Sequence, residues 1–570
     1  MSTELPGVER DRQLLIEARR EGTAATLLAF IRLSGPGWLQ SAITLGGGSL
    51  AGAMFLGILG GTSLLWLQLV AIVMGVVMLS AISYVTLSTG EKPFQAINAH
   101  INPVLGWGWI VATMLANIIW CMPQFSLSFA AIQNNLAAEG AIADTLAVKL
   151  GISILLLGAA TIAVFLNTQQ GIAARMFDWV LKLLVGVIVV CFVGVVLLLT
   201  VKGALDWQTI LAGFVPDLSQ WSQPSGRLRE LFQNLPADTA EYWRSLIVSQ
   251  QREVMIGAAA TAVGINMTFL MPYSLLRRGW GKDFRGLSRF DLSTGMAIPY
   301  ILVTSCVVIA AAVQFHAQAE PDYLSNDPDV MQQSSQFKGA KGILLNRVRQ
   351  NDSTLTEDTA GSAIADLSRE EKIIALALVK RDAFELSKAL APLLGEGPAR
   401  TAFGLGIFGM GFSTIIILML INGFALCEVL KAPLGGRVQM IGCLIAGVAG
   451  TLWPFFWQGD SKVYLAIIAS SFGMMLLPIA YITFFMMMNS RRLLGAHKPV
   501  GRAMVLWNVL MGASVAGAII AAYAAIAKES AKPGTGPVVA TVAILFLLAV
   551  GAGFLIPKKD DNPTVGESPR

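Results

Sequence analysis

The sequence predicts an all-α polytopic membrane protein of about twelve transmembrane helices. Three observations predict it: hydrophobic residues make up 55% of the chain against 14% charged, the mean hydropathy is +0.64, and apolar stretches recur from Pro36 to Pro557. Each stretch approaches the roughly 20 residues that a helix needs to cross a hydrocarbon core. A β-barrel would show short alternating strands instead.

Residues 1–34 form an N-terminal segment that mixes Arg10, Arg12, Arg19 and Arg20 with Glu9, Asp11, Glu17 and Glu21. This is not the apolar opening of a cleaved signal, so the first span is expected to serve as the insertion signal. Spans are expected at 36–58, 62–88, 104–134, 147–166, 179–201, 254–276, 293–315, 401–427, 438–457, 463–489, 503–527 and 537–557. They group into a first repeat over 35–202 and a second over 254–489, with the last two spans in 490–557 and a tail at 558–570.

Two polar insertions interrupt the pattern, a loop at 203–253 and a larger stretch at 316–400 inside the second repeat. The larger one carries a helical signature. Ser368 and Glu371 have capping-box spacing, and Leu376, Val379, Ala383, Leu386 and Leu390 follow at intervals of three and four, which predicts one amphipathic extramembrane helix.

The charges set the expected topology. With the N-terminus in the cytoplasm, one set of short loops carries Lys92, Arg175, Arg277, Arg278, Lys282, Arg285, Arg289, Lys431, Arg437, Arg491, Arg492, Lys498 and Arg502, whereas the opposite set holds mainly Lys462, Lys528 and Lys532. That asymmetry predicts both termini on the cytoplasmic face of a plasma (inner) membrane. The net charge of +5 then reflects topology and anionic lipid headgroups, and no nucleic-acid partner is expected. All five cysteines (Cys121, Cys191, Cys306, Cys427, Cys443) fall within spans, so no disulfide is predicted.

Two spans are irregular. The first carries Thr44-Leu45-Gly46-Gly47-Gly48-Ser49 at mid-depth, where each glycine weakens a helix by roughly 1 kcal/mol relative to alanine. The sixth carries Asn266-Met267-Thr268-Phe269-Leu270-Met271-Pro272-Tyr273, where Pro272 lacks an amide proton and clashes with the carbonyl four residues earlier. Interruptions in spans one and six, five apart, are the pattern of a five-plus-five inverted repeat with its site at the bilayer midplane.

The candidate site is neutral. It offers backbone groups of Gly46, Gly47 and Gly48, hydroxyls of Ser49 and Thr268, and side-chain amides of Asn266, Asn117 and Gln124. Amides at the start of a half-helix attract an anionic group, while backbone carbonyls freed at a break can hold a cation. Apart from Lys149 and Lys182 near span ends, the spans as drawn hold essentially no ionisable side chain, which argues against a carboxylate proton relay. Met122, Met267, Met271 and Met410 read more simply as packing than as a soft-metal path. Asp178 and Glu428 sit at span ends, either gating by pairing with loop arginines or held in interfacial water.

No enzyme signature is present. His100, His316 and His497 lie far apart outside the spans, so neither a zinc cluster nor a nucleophilic triad is suggested. No phosphate-binding Gly-Lys-Ser/Thr loop occurs, so ATP is not an expected partner, and no cofactor is implied.

Ser34-Gly35-Pro36-Gly37-Trp38-Leu39-Gln40-Ser41-Ala42 resembles the start of the first helix of the Nramp divalent metal ion transporters. Leu64-Leu65-Trp66 through Ser88-Thr89-Gly90 resembles their second, and Gly213-Phe214-Val215-Pro216, Met271-Pro272 and Leu477-Pro478 through Gly495 are further landmarks. The resemblance covers roughly 30–525. It implies a leucine-transporter-type fold, alternating access, and divalent metal ions moved with protons. The family's Asp-Pro-Gly-Asn motif falls on Gly46-Gly47-Gly48-Ser49, so both ligand side chains are missing; of the family's metal ligands only Met271 has a counterpart. Tyr273 stands in place of the histidine after Met-Pro, and Asn117 and Gln124 stand near the places of the third helix's acids. The expected function is an Nramp-related secondary transporter of a metal ion. A carrier of a small organic acid or amino acid on the same fold, and a transport-inactive scaffold or sensor, remain alternatives.

Overall fold

The computed structural model describes residues 6–555 except 139, 169–171, 358, 380, 382, 458–463 and 535. The described residues form helices and connecting turns, with no strand among them. Two helices at the N-terminus, α1 (Pro6–Glu21) and α2 (Thr23–Leu33), are followed by α3 (Pro36–Thr44), α4 (Gly47–Gly60), α5 (Trp66–Thr89), α6 (Pro103–Ala131), α7 (Leu146–Thr168) and α8 (Ile172–Val201). The second half holds α9 (Ala237–Thr261), α10 (Ile265–Arg277), α11 (Ile298–Phe315), α12 (Ser335–Arg349), α13 (Arg369–Ala377), α14 (Ala383–Leu394), α15 (Glu396–Val429), α16 (Arg437–Thr451), α17 (Tyr464–Asn489), α18 (Gly501–Ser530) and α19 (Gly536–Gly553).

Among the described residues, nine helices are long and apolar enough to span a bilayer, and α3 with α4, bent by 54°, makes a tenth. The other two expected spans are built differently. Residues 437–456 hold only the short α16 and the turn Trp453–Phe456, and the sixth is the pair α9 and α10, whose first member starts within the 203–253 insertion and carries Glu241, Arg244, Arg252 and Glu253.

The first break falls where the sequence puts it. Pro36 opens α3 at a position that needs no amide donor, Leu45 leaves helical geometry, and extended Gly46 (φ −92°, ψ −179°) starts α4. The second break falls earlier than expected. It occupies residues 262–264, ending at extended Gly264 (φ −79°, ψ 166°), and α10 runs unbroken through Pro272. Glycine can leave the helix there at little cost, whereas Pro272, eight residues into α10, removes a single backbone bond that close neighbours in a bundle help to offset.

α15 lies at the centre of the bundle and packs on α6, α16 and α8. In the bilayer such contacts rest on close packing more than on the hydrophobic effect. Outside it, residues of 203–253 and 316–400 share a second core of Trp243, Tyr323, Phe337, Leu344, Ile374 and Leu376, joined by Leu59 of α4. Here burial from water contributes about 1.5–3 kcal/mol per large side chain.

The single amphipathic helix expected from Ser368 onward is two. The capping box of Ser368 and Glu371 is formed, but α13 ends at Ala377 and α14 starts at Ala383. Leu376 and Val379 face the outer core, whereas Leu386 and Leu390 face the bundle. One continuous stripe cannot serve two cores, and the residues facing each core lie on separate helices or at their ends. At the opposite end of the bundle, α1 and α2 pack on the stretch before α11: Arg12 pairs with Asp283 at 2.8 Å, and the rings of Phe30 and Phe290 lie 5.3 Å apart.

Candidate functional site

The two breaks meet at a cavity of about 40 Å³ lined by Gly46, Gly48, Ser49, Gln124, Asn266 and Met267, with Trp120, Thr414, Ser470 and Gly473 around them. The glycines serve close approach as well as flexibility. A Cβ on Gly46 would lie 2.8 Å from Thr414 Oγ1, one on Gly47 3.0 Å from Leu127 Cδ2, and one on Gly48 inside the Trp120 indole. The indole Nε1 passes within 3.1 Å of where a Cβ on Gly473 would stand, so Trp120 is held between α4 and α17.

Each half-helix exposes main-chain groups at its broken end. At the end of α3, Ala42 O accepts from Ser413 Oγ (2.8 Å) and Thr414 Oγ1 (3.1 Å), Thr44 O from Ser49 Oγ (2.6 Å), and Ser41 O from Leu45 N. Three of the last four carbonyls are thus held inside the protein. At the start of α4, Gly47 N donates to Gln124 Oε1 at 3.0 Å. The starts of α4 and α10 turn the positive ends of two helix dipoles toward the cavity.

Among the other residues singled out in the sequence, Asn266 lines the cavity and its Oδ1 accepts from Met267 N at 3.0 Å. Thr268, Met271 and Asn117 are fully buried but do not line it. Thr268 donates to Ile265 O and accepts from Trp109 Nε1 at 2.9 Å. The thioether at the cavity is that of Met267, one turn before Met271, with Thr44 Oγ1 3.7 Å from its sulfur. Asn117 Oδ1 and Nδ2 and Gln124 Nε2 are buried without a protein partner. Sequence reasoning missed Thr414 and Ser470; isolated hydroxyls in apolar spans were the available signal.

No group of three or more His, Cys, Asp or Glu is placed to hold a metal ion among the described residues. Charge begins one layer away on either side. Toward the insertions, a vestibule of about 120 Å³ shares Gly48 and Ser470 with the cavity and contains Glu253 and Lys528, paired at 2.5 Å. Toward the N-terminal helices lies Asp291, a buried acid that the expected span boundary at 293 left out. It accepts from Gly37 N (2.6 Å), Gly35 N (3.3 Å) and Ser34 Oγ, so a carboxylate sits on the positive end of α3. Beside it Arg278 pairs with Asp178 at 2.8 Å. Glu428 binds Lys92 and Gln95, each at 2.9 Å. The span-end acids are therefore paired, Asp178 with the arginine that sequence reasoning allowed and Glu428 with a lysine.

The family model described as natural resistance-associated macrophage protein-like (Nramp) matches residues 37–334 and 366–528. No curated protein matches the chain. Among solved structures, that of the Eremococcus coleocola manganese transporter in complex with an aromatic bis-isothiourea substituted compound is similar at TM-score 0.61 and 14% identity, covering 93% of this chain and 94% of that one. Two mutants of the same transporter match at TM-scores of 0.62 and 0.60, with 14% and 13% identity and the same coverage. These likenesses establish the fold, a bundle of the leucine-transporter type.

Proposed function

Because the chain belongs to the Nramp family, an assignment that makes it an integral multi-pass membrane protein, we propose that it is a secondary transporter moving a divalent metal ion by alternating access. The observation that carries this reading is the pair of broken helices, α3/α4 and α9/α10, closing on one cavity of about 40 Å³. A void of that size suits a metal ion with little of its hydration shell. The donors are neutral: the Gln124 and Asn266 amides, the Thr414 and Ser470 hydroxyls, the Met267 thioether and the main chain of the breaks. Without a carboxylate ligand the ion is held weakly, and the acids of the family's proton route have no counterpart in α6. The basic residues around α1, α2 and the loops they touch support cytoplasmic termini.

The test is Mn²⁺ uptake into proteoliposomes holding the purified chain. Saturable, low-affinity flux that disappears on Gly47→Leu is expected. A second reading, a small organic acid as cargo, is favoured by the N-terminal ends of α4 and α10, whose positive dipole ends face the cavity. Organic-acid flux in the absence of metal flux would replace the first reading with the second, and any saturable flux excludes an inert scaffold.

A further inference from the structure

We infer that the vestibule above the cavity is a cation-capture site, in which an incoming divalent ion takes Glu253 from Lys528 before passing inward. The inference rests on the metal-ion reading and supplies the carboxylate that the helix break lacks. Glu253 and Lys528 line one vestibule with Gln250, Ser470, Gly48 and Leu378. Gly48 and Ser470 belong also to the inner cavity, so the two spaces adjoin.

Three features favour a cation over an anion there. First, the carboxylate is the deeper partner: the Glu253 side chain is 33% exposed against 49% for Lys528. Second, Glu253 is carried on α9, which ends at the second break, whereas Lys528 reaches it on a long stem from the last turn of α18. The ammonium can therefore swing into water while the carboxylate stays, and it acts as a built-in stand-in for the ion that displaces it. Third, Ala377 and Leu378, the end and cap of α13, form part of the vestibule wall. A helix C-terminus presents the negative end of its dipole, which attracts a cation and repels an anion. Gln250 and Ser470 add neutral oxygens to the same wall, as a hard divalent ion requires.

The outer body holds this wall in place. α13 packs on α12, and α12 lies in the stretch between 334 and 366 that the family model does not match. The vestibule wall thus rests against a helix outside the matched stretches, while its lining residues lie within them.

The experiment is initial-rate Mn²⁺ uptake into proteoliposomes by the full chain and two variants. Glu253→Gln should raise KM roughly fivefold to tenfold with the maximal rate unchanged, and Lys528→Met should lower KM by removing the competing ammonium. If Glu253→Gln fails to fold, Lys528→Met carries the test alone. Unchanged KM in folded variants overturns the inference and leaves the metal-ion reading standing. Opposite shifts, a lower KM for Glu253→Gln and a higher one for Lys528→Met, overturn it in favour of an anion site. Absence of Mn²⁺ flux in the wild type overturns both together.

Discussion

The carboxylate of Asp291 accepts the backbone amide of Gly37 at 2.6 Å, joining residues 254 positions apart. Through this bond and those to Gly35 and Ser34, the stretch before α11 holds the first turn of α3. Asp291→Ala should release that end at a cost of about 1.5–3 kcal/mol for the charge-assisted bonds. The measurement is thermal unfolding together with labelling of a cysteine placed at Trp38, in that first turn. A lower Tm with faster labelling is expected, and unchanged labelling would show that Asp291 does not secure α3.

Gly48 faces the indole of Trp120 without room for a Cβ. Gly48→Ala should cut flux by more than about tenfold, because a clash of this kind costs about 1–3 kcal/mol. Combining it with Trp120→Ala should restore part of the loss. Strictly additive losses in the double variant, read from uptake rates, would mean that the two side chains do not compete for one space.

Glu371 accepts from Arg347 Nε (2.7 Å) and Trp243 Nε1 (3.1 Å) in the outer body, and it closes the capping box on α13. Glu371→Ala leaves Arg347 buried without its counter-ion, a loss of about 3–5 kcal/mol. Limited proteolysis should then cut within 316–400 while the bundle remains folded. Protection equal to wild type would contradict this assignment.

His316, just past α11, is held between Ile58 O at Nδ1 and Arg227 N at Nε2, both at 2.9 Å. Burial pushes its pKa down from 6.5 to about 4. The folded value lies below the unfolded one, so the unfolded chain binds more protons across that window. Stability is full above pH 6.5 and falls as pH drops toward 4, by about 3 kcal/mol in all. Melting curves across this range should show the decline, and His316→Gln should flatten it; an undiminished slope in the variant would assign the effect elsewhere.

Helix content and the first break were legible because both rest on local composition: long apolar runs, and three consecutive glycines. The second break was misplaced because Pro272 is the louder local signal, yet a bundle tolerates it and the extended Gly264 carries the turn. The division of 368–394 into α13 and α14 depends on two separate cores, which no periodicity in one strip of sequence reveals. At the site, Asn266, Gln124 and the glycines were identifiable as polar or flexible residues inside apolar spans. Asp291 was missed because its stretch was assigned to a loop. Met267 was passed over for Met271 because the break at Gly264 puts the cavity at the first turn of α10, one turn before the motif position on the same helix face.

The hydroxyls of Ser413 and Thr414 both clasp the carbonyl of Ala42. Any inward-opening swing of α3 relative to α15 must unfasten these two clasps and then remake them. The rate of turnover, and its steepness with temperature, would accordingly be set in part by α15, the helix that contributes Thr414 to the chamber wall.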